Sequence, residues 1–220
     1  MNDAFLALAE ARHLRLHAGL HTRSRRLLFT ALFAAAPLCG CAATHFRDTR
    51  MSQAQTSLAG QDDFDFLIGR WAVENRKLIK PLSNSTEWQH FPATQNVQAL
   101  PGGIGNFDDY IAESWRPGFV GMTLRVFNPE TRLWSLYWLT SRDGGINAAT
   151  GALMPPVVGR FEHGVGVFEG ADVYEGKAIL MRFTWTPQGA NQARWEQAFS
   201  PDGGVNWQTN WVMQFTRVLD

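Results

Sequence analysis

The sequence has few of the residues that support thiol and metal chemistry. Its 220 residues include only two cysteines, Cys39 and Cys41, and both lie near the N-terminus. If that region is an export signal, the folded domain has no thiol, which excludes an intradomain disulfide, a cysteine nucleophile and a thiolate metal site. Only His90 and His163 fall beyond residue 61. Two histidines without cysteine argue against zinc, so we expect no metal site.

An excess of one charge is also lacking. Residues 41–220 contain 15 basic and 18 acidic residues, and no basic run interrupts them. Nucleic-acid binding depends on clustered lysine and arginine that neutralise phosphates. The composition therefore predicts no nucleic-acid partner.

Alternating apolar residues are abundant in residues 194–217. In the first arm of this stretch Trp195, Gln197 and Phe199 share one face. The turn Pro201-Asp202-Gly203-Gly204 follows, with proline and glycine supplying the required backbone angles. The second arm places on one face Trp207, Thr209, Trp211, Met213 and Phe215. A period of two residues predicts a hairpin of half-buried antiparallel strands.

Similar patterns recur along the chain without any sustained helical periodicity. The remaining predicted strands are residues 70–79, 86–99, 105–114, 121–127, 133–141, 157–162, 166–174 and 178–186. Residues 143–156 form a loop that could act as a flexible lid, and residues 62–69 form a short helical turn. Nine to ten antiparallel strands joined by short turns predict an all-β, up-and-down barrel, because closure removes exposed strand edges.

The domain resembles an uncharacterised bacterial family of lipocalin-like (calycin) barrels. The matching segments, in order, are DFDFLIGRW, EWQHF, LPGGIGNFDDY, VGRFEHGVGVFEG and RWEQAFSPDGGVNWQTNW. The first contains the Gly-x-Trp opening of such barrels, Gly69-Arg70-Trp71. The resemblance covers residues 62–217 and implies a barrel whose first tryptophan packs across the floor; we expect the barrel domain to span residues 62–220. It implies no particular activity.

The N-terminal region is typical of an export signal. Three arginines, at positions 23, 25 and 26, precede an apolar stretch, residues 27–39, that is too short to span a bilayer as a free helix. Leu38-Cys39-Gly40-Cys41 resembles a bacterial lipobox, which implies lipidation of Cys41. We expect a signal over residues 1–40, a flexible tether over 41–61, and a location in the bacterial cell envelope. Cleaved export without lipid, an uncleaved anchor and a misassigned start remain open, as does Sec against twin-arginine export.

Candidate ligand-binding residues combine flat rings with polar side chains on predicted inward faces. Gln197 and Thr209 each lie between two aromatic residues, and a buried amide needs a hydrogen-bonding partner. His90 shares a face with Trp88 and is the better histidine candidate, including for a haem iron. The full predicted set is His90, Tyr137, Trp138, Trp185, Trp195, Gln197, Thr209 and Trp211. No catalytic residue is predicted.

Two further motifs receive structural interpretations. The segment from Ser200 to Trp207 fits S-x-D-x-G-x-x-W, the Asp-box hairpin of sialidase-like propellers, but the domain is too short for a propeller. We interpret it as a capped hairpin. Asp108 and Asp109 are adjacent on a strand, so they face opposite sides and cannot act as a catalytic pair. Glu196 is predicted to pair with Arg182 across neighbouring strands.

Three functions are compatible with these features. The first is an exported, lipid-anchored barrel that binds a small hydrophobic or aromatic molecule. The second is an enzyme that acts on a small apolar substrate in the barrel, with His90, Tyr137 or Gln197 as polar contacts. The third is a structural envelope module whose tryptophans fill the barrel completely.

Overall fold

The computed structural model describes residues 58–219, and these form a closed ten-stranded antiparallel barrel. The strands are β1 (Gly69–Leu78), β2 (Trp88–Ala99), β3 (Gly105–Ile111), β4 (Val120–Asn128), β5 (Leu133–Thr140), β6 (Val157–Glu162), β7 (Val165–Tyr174), β8 (Lys177–Pro187), β9 (Gln192–Ser200) and β10 (Gln208–Arg217). Each strand pairs with its neighbours in sequence, and β10 pairs with β1 to close the barrel. The predicted all-β, up-and-down fold is confirmed.

A plug of aromatic and aliphatic side chains closes one end of the barrel, here called the plugged end. A 3-10 helix spans Asp65–Leu67, within the stretch where the sequence predicts a helical turn. Phe64 and Leu67 are fully buried, and the Trp71 indole donates to the Leu67 carbonyl at 2.7 Å. Arg217 closes the same end from β10, because its guanidinium donates to the Ile68 carbonyl at 2.6 Å and lies over the Trp71 ring. Arg217 at the end of β10 therefore holds the start of β1 in place.

The opposite end, here called the loop end, carries the longer connections. They are residues 79–87, 112–119, 141–156 and 201–207, together with the tight turn at 175–176. Residues 143–156, predicted as a lid, contain a small hairpin in which Ile146 pairs with Leu153. The Asn147 amide donates to the Ala152 carbonyl at 2.8 Å across this hairpin. The loop end is therefore built of ordered turns.

A β-bulge in β10 changes which residues of that strand face the interior. The pairing with β9 shifts between Thr209 and Trp211, so one extra residue stands on β10. An extra residue reverses the alternation on the loop-end side of the bulge. Asn210 is consequently buried at 1% exposure, and Thr209 is exposed. The sequence pattern predicts Thr209 on the inner face, and the prediction is wrong because of the bulge.

The predicted signal segment, Cys41 and most of the predicted tether lie outside the described residues. Within residues 58–219, no helix has the length and apolar character needed to cross a bilayer.

Candidate functional site: the upper barrel interior

Fully buried and partly exposed rings occur at both ends of the barrel interior. Near the plugged end Phe64 and Phe215 are at 0% exposure and Trp134 at 2%, while Phe66 and Phe161 are half-buried. Near the loop end Trp138 and Trp115 are only half-buried although both pack against the core cluster. We call the half of the interior nearer the loop end the upper interior. Trp115 and Trp138 are its partly exposed rings, whereas Tyr110 is 1% exposed and Trp195 and Trp211 are each 7% exposed.

Asn75 is the polar centre of the upper interior. Its Oδ1 accepts a hydrogen bond from the Tyr110 hydroxyl at 2.8 Å and another from the Trp211 indole at 3.0 Å. The indole N–H can only donate, which fixes the orientation of the Asn75 amide. The Asn75 NH2 group therefore points away from both rings, and its contact with the Val73 carbonyl is long, at 3.5 Å. Burial raises the pKa of Tyr110, more than the Asn75 hydrogen bond lowers it, so this hydroxyl remains protonated.

Aromatic rings form a wall beside Asn75. Trp195 and Trp211 meet edge to face at a centroid distance of 5.7 Å, and Trp211 meets Trp115 in the same manner at 5.6 Å. Phe91 stacks on Trp115 at 4.8 Å with an interplanar angle of 8°. The Lys77 ammonium lies 3.5 Å from the Trp211 ring centroid, a cation–π contact near the loop end. Such a wall suits a flat apolar molecule.

Two amide side chains interrupt the aromatic wall. Gln197 lies opposite Trp211 in the β9–β10 register, and its NH2 group donates to Asn210 Oδ1 at 2.8 Å. Gln197 is 8% exposed. The β10 bulge brings Asn210 into this position. The buried Gln197–Asn210 hydrogen bond therefore depends on the bulge.

A buried ion pair lies one step below Tyr110, toward the plugged end. Asp108 precedes Tyr110 by two residues on β3, so it points to the same side about 7 Å farther along the strand. Arg125 on β4 is 1% exposed, and its Nη2 lies 2.5 Å from Asp108 Oδ2. Its Nη1 donates to Asn106 Oδ1 at 2.9 Å, while Asp108 Oδ1 accepts from the Thr123 amide at 3.0 Å.

These groups give the interior a polar side and an aromatic side. The inward polar residues, which we call the polar stripe, are Asn75, Asn106, Asp108, Tyr110 and Arg125. They come from β1, β3 and β4, whereas the rings of Trp185, Trp195 and Trp211 come from β8, β9 and β10. The two sets meet directly, since the Trp211 ring lies 6.2 Å from the Tyr110 ring and its N–H donates to Asn75. A molecule in the interior would meet hydrogen-bonding groups and flat rings together.

Several predicted site residues do come together in the upper interior. Trp195, Gln197 and Trp211 lie side by side on β9 and β10. Trp138 faces them from β5 and meets the Tyr110 ring at 6.2 Å. Trp185 also points inward, but it belongs to the floor, where it packs against Phe215 at 5.1 Å.

Three other predicted site residues lie outside the barrel. His90 is exposed on the outer face of β2, because the inward residues of that strand are its neighbours Gln89 and Phe91. Tyr137 is half-buried on the outer face of β5, between the inward residues Leu136 and Trp138. Thr209 is exposed because the β10 bulge turns its side chain outward. The expectation that these three side chains face the interior is therefore corrected.

The Asp-box segment forms a capped hairpin at the loop end. Asp202 accepts from the Asn206 backbone at 2.9 Å and from its side chain at 2.7 Å, and Ser200 Oγ donates to Asp202 at 2.8 Å. These hydrogen bonds, the Asn206 backbone bond first, lower the pKa of Asp202 to about 2. The Trp207 indole donates to the Gly204 carbonyl at 2.9 Å, and the Arg182 guanidinium lies over its ring. The motif stabilises a turn.

The carboxylates are arranged for pairing with arginine. Arg182 pairs with Glu169 at 2.6 Å, and Glu196 pairs with Arg194 at 2.8 Å. The predicted Arg182–Glu196 pair is wrong, since Arg182 lies opposite Ala198 in the β8–β9 register. Asp108 and Asp109 face opposite sides, as predicted. No group of three histidine, cysteine or acidic residues within residues 58–219 is placed to hold a metal ion.

The polar stripe contains the residues that the sequence interpretation missed. Arg125 was not singled out because a strand arginine is most often exposed. A signal was available, since Arg125 shares a face with Phe127, and Asp108 shares one with Tyr110. A charged residue on an apolar face of each of two neighbouring strands favours a buried ion pair.

No protein-family model and no curated protein sequence matches the chain. Similar solved structures include the S-type phycobiliprotein lyase CPES from Guillardia theta, with 10% identity and a TM-score of 0.47, over 73% of this chain and 93% of that one. Another is the monomer form of the PknI sensor domain from M. tuberculosis, with 10% identity and a TM-score of 0.31, over 70% of this chain and 88% of that one. At this similarity neither structure assigns a family or a ligand to the chain.

Proposed function

We propose that this protein is an exported, lipid-anchored barrel that binds a small hydrophobic or aromatic molecule in its upper interior. The observation that supports binding most directly is the partial exposure of two tryptophans at the loop end. Trp115 and Trp138 are half-buried although both pack against the core cluster. Rings that contact both the core and solvent offer a flat apolar surface to a small molecule.

The chemistry of the upper interior supports an apolar ligand with a polar edge. Trp195, Trp211 and Trp138 offer flat surfaces, and small-molecule sites are lined mainly by such side chains with a few placed polar groups. The Asn75 amide and the Gln197–Asn210 pair are the placed polar groups.

The test is a titration of the full-length protein with N-phenyl-1-naphthylamine, an uncharged dye that fluoresces in apolar surroundings. Ala93 faces the interior of β2 at 7% exposure, and Ala72 faces outward on β1. We expect Ala93→Phe to reduce dye affinity at least about tenfold while Ala72→Phe leaves it unchanged, because only the first adds a ring to the interior.

The same pair of variants separates a ligand site from a filled core. A phenylalanine added to a fully packed interior costs about 1–3 kcal/mol or more of folding free energy. A ligand site accommodates the ring with little loss of stability but loses the dye. Failure of the wild-type protein to bind the dye, together with strong destabilisation by Ala93→Phe, would contradict the proposal.

Export and lipid anchoring are supported by the sequence alone, through the arginine-led apolar segment and the Leu38–Cys41 lipobox. Intact-mass spectrometry of protein purified from its own cell envelope tests both. We expect a chain that begins at Cys41 and carries acyl groups. An unmodified chain that retains residues 1–40 would contradict the anchor.

A further inference from the structure

We propose that the Arg125–Asp108 pair is a hydroxyl-binding site, so that the preferred ligand is an uncharged apolar molecule with an alcohol or phenol group. This inference rests on the proposed function, because it assigns the chemical class of the molecule that enters the barrel.

Arg125 Nε and Asp108 Oδ2 are the two buried side-chain polar atoms within residues 58–219 that lack a hydrogen-bond partner. The Nη2–Oδ2 approach of 2.5 Å is an ion-pair contact, but its direction does not satisfy hydrogen-bond geometry. Both residues are 1% exposed. A buried polar group without a partner destabilises the folded state, and more so when it is charged. The site therefore favours a molecule that supplies both missing hydrogen bonds.

One oxygen atom can reach both atoms. Nε and Nη2 are bonded to the same guanidinium carbon, so Nε lies within about 5 Å of Asp108 Oδ2. An oxygen about 2.9 Å from each can bridge that gap. It must accept a hydrogen bond from Nε–H and donate one to the carboxylate. A hydroxyl does both, whereas an ionised carboxylate only accepts and an ammonium only donates.

The charge balance of the pair also favours an uncharged ligand. Arg125 and Asp108 neutralise each other, and their other polar atoms are held by Asn106 and the Thr123 amide. An anionic ligand would bring an uncompensated charge into a buried site, which costs far more than a hydroxyl. The site therefore selects against carboxylates.

The position of the pair fits the terminus of a ligand held in the upper interior. Asp108 lies about 7 Å along β3 from Tyr110, roughly the length of one fused-ring system. The Arg125 guanidinium carbon lies 5.5 Å from the ring centroids of both Phe64 and Trp185. A flat molecule whose rings pack beside Tyr110 and Trp195 would direct its hydroxyl toward Arg125.

The experiment compares three naphthalenes of similar shape as competitors of N-phenyl-1-naphthylamine on full-length protein at pH 7. They are 2-naphthol, 2-naphthoate and 2-methylnaphthalene. We expect 2-naphthol to bind at least about tenfold more tightly than either competitor, because only its oxygen satisfies both atoms. In Asp108→Asn the Arg125 charge loses its partner, so the affinity for naphthoate relative to naphthol should rise at least about tenfold.

A second variant covers the case in which Asp108→Asn fails to fold. In Asp108→Asn/Arg125→Met no buried charge remains, so we expect 2-methylnaphthalene to bind as in wild type and the preference for naphthol to disappear. Near-UV circular dichroism checks that each variant is folded.

Each outcome decides a different claim. If the wild-type protein binds 2-naphthol and 2-methylnaphthalene equally, the ligand hydroxyl does not contact the Arg125–Asp108 pair. This result overturns the hydroxyl proposal but leaves the proposed function intact. A wild-type preference for 2-naphthoate overturns the hydroxyl proposal as well, and so does an unchanged naphthol preference in the double variant. Failure of the dye and of all three naphthalenes to bind contradicts the proposed function itself.

Discussion

Replacing Arg125 by methionine removes the only cationic partner that Asp108 has within residues 58–219. The carboxylate then remains at the barrel centre, 1% exposed, with the Thr123 amide as its one hydrogen-bond donor. Breaking a buried pair in this manner costs about 3–5 kcal/mol of folding free energy. For a domain of this size each kcal/mol lowers the melting temperature by about 2–4 °C, so the expected decrease is about 6–20 °C.

The double variant Asp108→Asn/Arg125→Met is the control for that prediction. Removal of both charges leaves no uncompensated group, so the double variant should be more stable than Arg125→Met alone, with a coupling energy of at least about 2 kcal/mol. Urea unfolding followed by tryptophan fluorescence measures all four proteins of the cycle. If Arg125→Met costs less than about 1 kcal/mol, or if the two single effects simply add, the interpretation of a buried, mutually dependent pair is wrong.

Three further predictions concern the bulge, the Asp-box turn and the amide centre. Asn210→Lys should cost at least about 2 kcal/mol in urea unfolding and Thr209→Lys less than about 0.5 kcal/mol, since the bulge buries one residue and exposes the other; equal costs would refute the bulge assignment. The pKa of Asp202 is about 2 in the folded chain against an ordinary value of 3.8. The stabilisation it provides is therefore complete above about pH 4 and lost as the pH falls toward 2, and Asp202→Asn should reduce the acid sensitivity of the unfolding free energy in that range; an unchanged pH profile would contradict this. Asn75→Leu leaves the Trp211 N–H without its acceptor and should cost about 1–3 kcal/mol while altering the near-UV circular dichroism; an unaltered spectrum would count against the hydrogen bond.

The barrel itself could be predicted because its evidence is local and repeated. Residues such as Trp134, Leu136 and Trp138 alternate with the residues that face outward, and this period specifies a strand and its buried face. Because short turns connect strands that are neighbours in the sheet, ten such strands are expected to form a meander that closes into a barrel. The predicted bounds differ from the observed ones by three residues or fewer at any strand end, which is the normal uncertainty at strand ends.

The site was only partly predictable, because two determining features are non-local. The β10 bulge exchanges Thr209 for Asn210 on the inner face, and three polar residues in succession, from position 208 to 210, give no sign of which is the extra one. His90 and Tyr137 have side chains suited to ligand contact, but each alternates with residues that the structure places inside. The partnership of Arg125 with Asp108 depends on the β3–β4 register, which the sequence alone does not specify.

The most direct test of the central claim is a crystal structure of the protein soaked with 2-naphthol. The account predicts that the ring lies in the upper interior beside Tyr110 and Trp195, with its oxygen within hydrogen-bonding distance of Arg125 Nε and Asp108 Oδ2. Density for the ring on the outer surface alone, with the upper interior filled by side chains, would contradict the account.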